Sequence, residues 1–547
     1  MEGIMRRSRR LWGPTVVMTS LALVLAACGG SGSGSNPAGA GETNPDGTVS
    51  VYGTEPQNAL VPSNINDLGG TKAVQVMFAT LVGFKGADAK PFNLMADSIT
   101  TTDSKVYDIK IKQGWKFHDG TEVKAHNFTD AWNFAAYAPN GQLNTDFFSN
   151  IQGYTDVHPE DENAKPSTEG MSGLVVKGDY EFQVTLNAPF SVFDIKIGYQ
   201  AFAPLPDVFF KDRPGFEQHP IGNGPMKFVS RTPNQDIKLT RFDDYKGDDK
   251  VHFKDLDIKI YASQETAYQD LLSGRLDFME ALPPSAVAGG KYKNDLGDRL
   301  VTGHLLGIST IAVPYYVPGY NNLELRKAIS MAIDRAQITK TVMNDTYVPA
   351  DGYISQGIPG ARPGVCEFCK FDPEAAKEAF QRSGFKGKLT IASNADGGRK
   401  EPLVAACNSI KNTLGVECDF VPATDFGQWR SIVTKKKLTG MGRSDWSADY
   451  PSIEDFLNPI YKTGGSSNDS SYTNPQVDAL LARADATADK DAAVKLYQQA
   501  EDLIAKDLPS IPVWDEKGVA AKSKNLKSAA LDFRRMPDYP SIEVLKK

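Results

Sequence analysis

The side chains most able to do chemistry in this 547-residue chain are five cysteines, six histidines and a large set of carboxylates. Cys366-Glu367-Phe368-Cys369 has the C-x-x-C spacing of a redox pair, which becomes an oxidoreductase when a helix N-terminus activates one thiolate. Here the pair follows Arg362-Pro363-Gly364 and precedes Asp372-Pro373, so it falls in a loop ahead of a helix cap. Cys407 and Cys418 complete a set of four. Their wider separation is poor ligand spacing for a four-thiolate zinc site. Four cysteines outside the cytoplasm favour structural disulfides with three possible connectivities; the expected one joins Cys407 to Cys418 and Cys366 to Cys369. The histidines (His118, His126, His158, His219, His252, His304) form no H-E-x-x-H and no i,i+4 pair, and there is neither a phosphate loop nor a G-x-S-x-G elbow. No acidic pair has a spacing that implies acid–base work. An enzyme is not expected, nor a cofactor, nor a metal.

The elements that must position any site begin with an address. Arg6, Arg7, Arg9 and Arg10 precede an apolar run from Leu11 to Ala27, the pattern of an export signal, with no stop-transfer cluster after it. It ends Leu25-Ala26-Ala27-Cys28-Gly29, which resembles the lipobox of bacterial lipoproteins and implies acylation of Cys28. Residues 29–48, rich in Gly, Ser, Ala, Asn and Pro, read as a flexible tether. The Arg9-Arg10 pair also fits a twin-arginine signal.

The body that follows is ordinary in composition, 41% hydrophobic and 23% charged, which argues against disorder and against a polytopic membrane protein. Its formal charge of −7 makes nucleic acid an unsuitable main partner. Loss of the arginine-rich leader leaves a more acidic mature chain. Helix starts are legible at Ser263, Asn322 and Asp372, with stops at Gly274 and Gly384. Residues 106–112 and 180–186 alternate as strands, and 388–392 and 415–421 flank a helix in a βαβ pattern spanning about 306 to 515. An α/β body built around two sheets is the expected class.

Several separated blocks stand out: Glu55-Pro56 with Leu60-Val61-Pro62, and Val76 to Val82; Lys116-Phe117-His118-Asp119-Gly120-Thr121 followed by Ala125-His126-Asn127-Phe128; then Pro220 to Pro225, Leu272 to Asp277, Leu325 to Arg335, Trp446 to Tyr450 and Asp507 to Val513. In these blocks the chain resembles the extracellular solute-binding proteins of peptide ABC transporters, the dipeptide/oligopeptide-binding family 5 group. The first two are similar to that family's opening and the Lys116 to Phe128 stretch to its most diagnostic block. All follow in the family's order, covering nearly all of 49–530.

The resemblance implies a two-lobed periplasmic-binding-protein-like fold with a hinge, plus an extra α+β lobe. Lobe I is expected at 49–82, 205–305 and 515–547, the extra lobe at 83–204, and lobe II at 306–514. It also implies capture of peptides in the interlobe cleft and delivery to membrane permease subunits by a lipid-anchored monomer on the outer face of the cell membrane. By the same resemblance Asp449 meets the peptide's α-ammonium, which cannot be buried without a counter-charge except at a cost of several kcal/mol. Trp446 forms an apolar wall beside it, Arg443 offers a guanidinium fork to a ligand carboxylate, and Trp429 lines the pocket. Asn66 and Leu68 fall on a strand-like segment facing the peptide backbone. Lys116 to Thr121 and Gly222 to Pro225 are read as structural turns. The competing readings are the same scaffold holding a nickel chelate, haem, an oligosaccharide or an opine-like solute, a thiol oxidoreductase at Cys366 and Cys369, and an adhesin or chaperone.

Overall fold

The computed structural model describes residues 41–546 except 87, 162, 396–398 and 425. The leader, Cys28 and tether residues 29–40 lie outside the described residues. The tether expected to reach residue 48 ends earlier, because Thr43 bridges Leu545 and the Asn44 N–H donates to the Val544 carbonyl at 2.8 Å. Residues 42–47 are therefore docked on the C-terminal segment.

Alternation builds the strands where it was read. In Val106–Ile111, Tyr107, Ile109 and Ile111 point into a core, as do Phe182 and Val184 of Glu181–Thr185. These two strands form the centre of a four-stranded antiparallel sheet flanked by Ala96–Thr100 and Leu174–Gly178. Over it packs the helix Ala125–Ala136, whose Trp132 stacks edge-on to Phe182 and Phe202.

The second large sheet has eleven strands drawn from widely separated parts of the chain. Two 13-residue strands, Leu300–Ala312 and Ser510–Lys522, pair antiparallel and run through both halves of the sheet. On one side of them lie Met441–Ser447, Leu389–Asn394 and Cys418–Ala423; on the other lie Phe278–Met279, Thr48–Gly53, Asp255–Ile260, Asp236–Arg241 and Met226–Thr232; the eleventh, Tyr347–Pro349, pairs with Ser510–Lys522 outside this order. Separate short strands could not have revealed this order, since it depends on pairing between segments far apart in sequence. The parallel pair Leu389–Asn394 and Cys418–Ala423 encloses the helix Lys400–Leu414, the βαβ unit read from periodicity.

Helix caps are local and match the sequence closely. Asn322, Asp372 and Ser263 accept from the N–H of Leu325, Ala375 and Thr266, and Gly274 and Gly384 close their helices in the left-handed region. The helix from Asn322 stops at Met331 rather than running to Arg335, because Asp334 caps a new helix, Arg335–Thr341. Gly120 needs its positive φ of 88°, as its turn implies. Gly222 is different: its backbone is not left-handed, but a Cβ there would lie 2.0 Å from the Met77 carbonyl oxygen, so close approach is the requirement.

Cys366–Cys369 and Cys407–Cys418 are disulfide-bonded, spanning 3 and 11 positions. The longer loop restrains the unfolded chain more, about 3 kcal/mol against about 2 kcal/mol on the loop-entropy account. Replacing Cys407 and Cys418 by serine is therefore expected to lower stability more than the same change at Cys366 and Cys369. Urea melts of the two double variants check the order.

Candidate functional site

The strand Met441–Ser447 sets the geometry. It pairs with Leu300–Ala312 so that Trp446 lies opposite Ile308 and Arg443 opposite Ile311. An offset of three on a period of two sends Arg443 and Trp446 to opposite faces. After the strand, Ala448 to Pro451 turn into the helix Ile453–Tyr461, capped by Ser452, whose Oγ accepts the Glu454 N–H at 3.2 Å. Glu454 and Asp455 stand in the first helical turn, where the helix dipole favours anions.

Asp455 ties this turn together. Its Oδ2 accepts the indole N–H of Trp446 at 3.2 Å and the backbone N–H of Asp449 at 3.0 Å. The Trp446 ring, half-buried against the main core, is thus held beside Asp449. Glu454 accepts the Tyr450 hydroxyl at 2.6 Å, and Asp485 accepts from Tyr497 at 2.6 Å and from the Asn458 amide at 3.0 Å.

Asp449 itself is half-buried, and among the described residues its carboxylate forms no ion pair. Burial pushes its pKa up to about 6, against the opposing pull of Lys196 and Arg534. Neither cation is spent on it. The Lys196 ammonium donates to Asn150 Oδ1 at 2.6 Å and lies near the Phe147 and Phe190 rings. Arg534 donates to Asp532 at 2.9 and 3.1 Å and lies over Phe533. Tyr199, stacked on Phe147 at 4.0 Å, completes this wall, its hydroxyl pKa raised by burial and then by Asp449. Lys196, Tyr199, Asp455 and Arg534 were not singled out from sequence. Ser452-Ile453-Glu454-Asp455 is a legible helix start; nothing local pairs it with residues so distant in the chain.

A cavity of about 390 Å³ is lined by Gln200, Phe533 and Arg534 together with Phe84, Tyr245 and Asp538; Asp449 is not part of its lining.

Arg443 belongs to a different network on the other face of its strand. Its Nε donates to Asp445 at 2.8 Å and its Nη1 to Asn394 at 3.1 Å. Arg399 pairs with the same Asp445 at 2.9 Å and with Glu516 at 3.5 Å, and Arg535 pairs with Glu516 at 2.9 Å. Burial alone would raise the Asp445 pKa, but Arg399 and Arg443 hold it below the ordinary range. Three guanidinium groups face two carboxylates, so this face carries one surplus positive charge.

Trp429, 1% exposed, packs in a small core with Ala423, Val433 and Leu438 and borders a separate cavity of about 120 Å³ with Thr390 and Val421. Leu68 is not on a strand: it opens the helix Leu68–Met77, capped by Asp67, whose Oδ1 accepts the Gly70 N–H at 2.9 Å. Asn66, which precedes that cap, is exposed and not in a strand, and Leu68 is 55% exposed. The segment before them is fixed by buried amides, since Asn144 and Gln200 both donate to the Ile65 carbonyl, at 2.9 and 2.8 Å. Cys366 and Cys369 are disulfide-bonded and buried beside Leu508, whereas a redox pair requires an accessible thiolate.

Among the described residues no cluster of three or more His, Cys, Asp or Glu could hold a metal ion, and no helix is long and apolar enough to cross a membrane.

The chain is similar to the oligopeptide-binding protein OppA of Bacillus subtilis (strain 168), 25% identical over 96% of this chain and 97% of that protein. It is 24% identical to the dipeptide-binding protein DppE of the same organism, over 96% and 97%. Among solved structures it resembles OppA of Haemophilus influenzae in complex with the peptide RPPGFSPFR, with a TM-score of 0.73, 21% identity, and coverage of 92% of this chain and 100% of that one. The fold is therefore two-lobed and periplasmic-binding-protein-like, as the sequence resemblance implied. Residues 90–468 match the profile described as bacterial extracellular solute-binding proteins, family 5 Middle, and the chain belongs to that family of solute-binding proteins.

Proposed function

We propose that this protein captures peptides outside the cytoplasm and hands them to the permease of an ABC importer. The observation that carries the reading is the Asp449 carboxylate: partly accessible, without an ion pair among the described residues, and held beside the half-buried Trp446 ring. A carboxylate kept this way is costly unless a cation arrives to meet it, and a peptide's α-ammonium is such a cation. The relatives named for oligopeptide and dipeptide binding support the same class of guest. The Arg443 network, with its surplus positive charge, is our candidate for the ligand's carboxylate, and Asn66 and Leu68 are exposed for contact with its backbone. We take the lobes to be 49–82, 205–305 and 515–547, then 83–204, then 306–514, closing by a hinge. Acylation of Cys28 would tether the protein to the outer face of the membrane, and Cys28→Ser should release it into the soluble extracytoplasmic fraction.

Calorimetry with a free tripeptide and its N-acetylated form tests the reading. Acetylation removes the ammonium and should weaken binding by about 2 kcal/mol, roughly 30-fold. Equal binding of the two peptides would exclude the ammonium role. Saturable binding of a non-peptide solute with no peptide binding would exclude peptide capture.

A further inference from the structure

The carboxylates around Asp449 outnumber the cations that could neutralise them. Asp455 is 1% exposed and Glu454 is 4% exposed, on the same helical turn that carries Asp449 at its entry. The neighbouring elements bring only a few charges to this turn. The segment Phe193–Lys196 supplies Lys196, bonded to Asn150, and the segment after it supplies the neutral Tyr199. The turn Thr145–Phe148 supplies Asp146, whose charge acts on Lys196. The helix Pro475–Asp485 supplies Asp485, which is bonded to Asn458 and Tyr497 and lies 4.0 Å from Lys462. The C-terminal segment supplies Arg534, already paired with Asp532. One buried ammonium thus faces Asp449, Glu454 and Asp455, and a pocket so charged holds protons while it is empty.

We propose that the pocket exchanges a proton for its guest. The Asp449 carboxylic acid gives its proton to solvent as the ligand's ammonium seats, leaving a carboxylate–ammonium pair, so capture is tight at neutral pH and loosens in acid. This deepens the peptide-binding reading and rests on it. Asp455 is a positioning residue here: its Oδ2 holds the Asp449 backbone, and burial, then the Asp449 charge, pushes its own pKa well up, favouring the neutral acid.

The direction follows from the charge states. The Asp449 acid, with a pKa pushed up to about 6 by burial, is mostly protonated at pH 5 when empty, and a bound ammonium drives the proton off. At pH 7 the empty pocket has already lost it. Both pH values lie below the α-amino pKa of about 8, so the peptide's own ammonium is present throughout.

Titration calorimetry of trialanine, in paired buffers of different ionisation enthalpy at pH 5.0 and pH 7.0, reads both the Kd and the protons released. The expected result is a Kd about tenfold weaker at pH 5.0, with more than about half a proton released per ligand there and less at pH 7.0. Asp455→Asn keeps the oxygen that accepts from Trp446 and Asp449 and mimics the neutral acid, so the pH at which affinity falls should stay where it is, whereas Asp455→Ala loses that oxygen and should weaken binding at both pH values. Binding with equal Kd at both pH values and no proton release overturns the exchange while leaving peptide capture standing. No binding of trialanine or longer free peptides at either pH overturns both. Binding by Asp455→Ala as tight as that of wild type overturns the positioning role of Asp455.

Discussion

Asp449→Ala is expected to weaken binding of a free peptide by at least about 2 kcal/mol, roughly 30-fold, with the fold intact. The magnitude is that of leaving a desolvated ammonium without its counter-charge. The fold survives because the Asp449 carboxylate makes no ion pair to lose among the described residues; what organises the turn is its backbone N–H, bonded to Asp455, and alanine keeps that. Removing the carboxylate should even relieve a cost. Its folded pKa of about 6 lies above the ordinary 3.8, so the wild type loses stability as pH rises from about 4 to 6, and the variant lacks that loss. Thermal melts at pH 7 should show Asp449→Ala as stable as wild type or more so, while calorimetry shows weakened binding. Peptide affinity within threefold of wild type would remove Asp449 from the site.

The largest effect on stability is expected at Lys72. Lys72 on the helix Leu68–Met77 is 1% exposed and donates to the Tyr52 carbonyl at 2.6 Å and to Glu280, itself 4% exposed. Its ammonium also lies 4.8 Å from the Tyr52 ring centroid. The pair ties that helix and the first strand of the sheet to the segment after Phe278–Met279. Lys72→Ala leaves Glu280 charged and buried, which costs about 3–5 kcal/mol, whereas Lys72→Met with Glu280→Leu removes both charges and should recover most of the loss. Denaturant melts of wild type, single and double variants measure the difference. A single variant within about 1 kcal/mol of wild type would mean that Glu280 finds water or a proton instead.

Much of the scaffold could be read before any coordinates. The caps at Asn322 and Asp372 and the glycine stops at Gly274 and Gly384 need only a few consecutive residues, and the alternation of Val106–Ile111 reports its buried face directly. The eleven-stranded sheet could not be read this way, nor could Leu68 as a helix start, since Pro62 to Asp67 has an extended pattern until the Asp67 cap is recognised. Trp429 shows the limit most plainly. A tryptophan in sequence is equally suited to a core and to a ligand wall, and only its packing on Val433 and Leu438 decides.

By itself, the sequence determined the family, the class of fold, the order of most elements and the candidacy of Asp449 and Trp446, because these depend on residue types and spacings that stay together along the chain. Only the tertiary structure decided what surrounds Asp449: Lys196 turned to Asn150, Arg534 turned to Asp532, and Asp455 holding Trp446 and the Asp449 backbone. It also decided that Arg443 lies across the strand from Trp446, bound up with Asp445, Arg399 and Glu516. The physical reason is that a carboxylate's charge state depends on burial and on cations brought from remote segments. Both are properties of chain packing, and no local spacing encodes them.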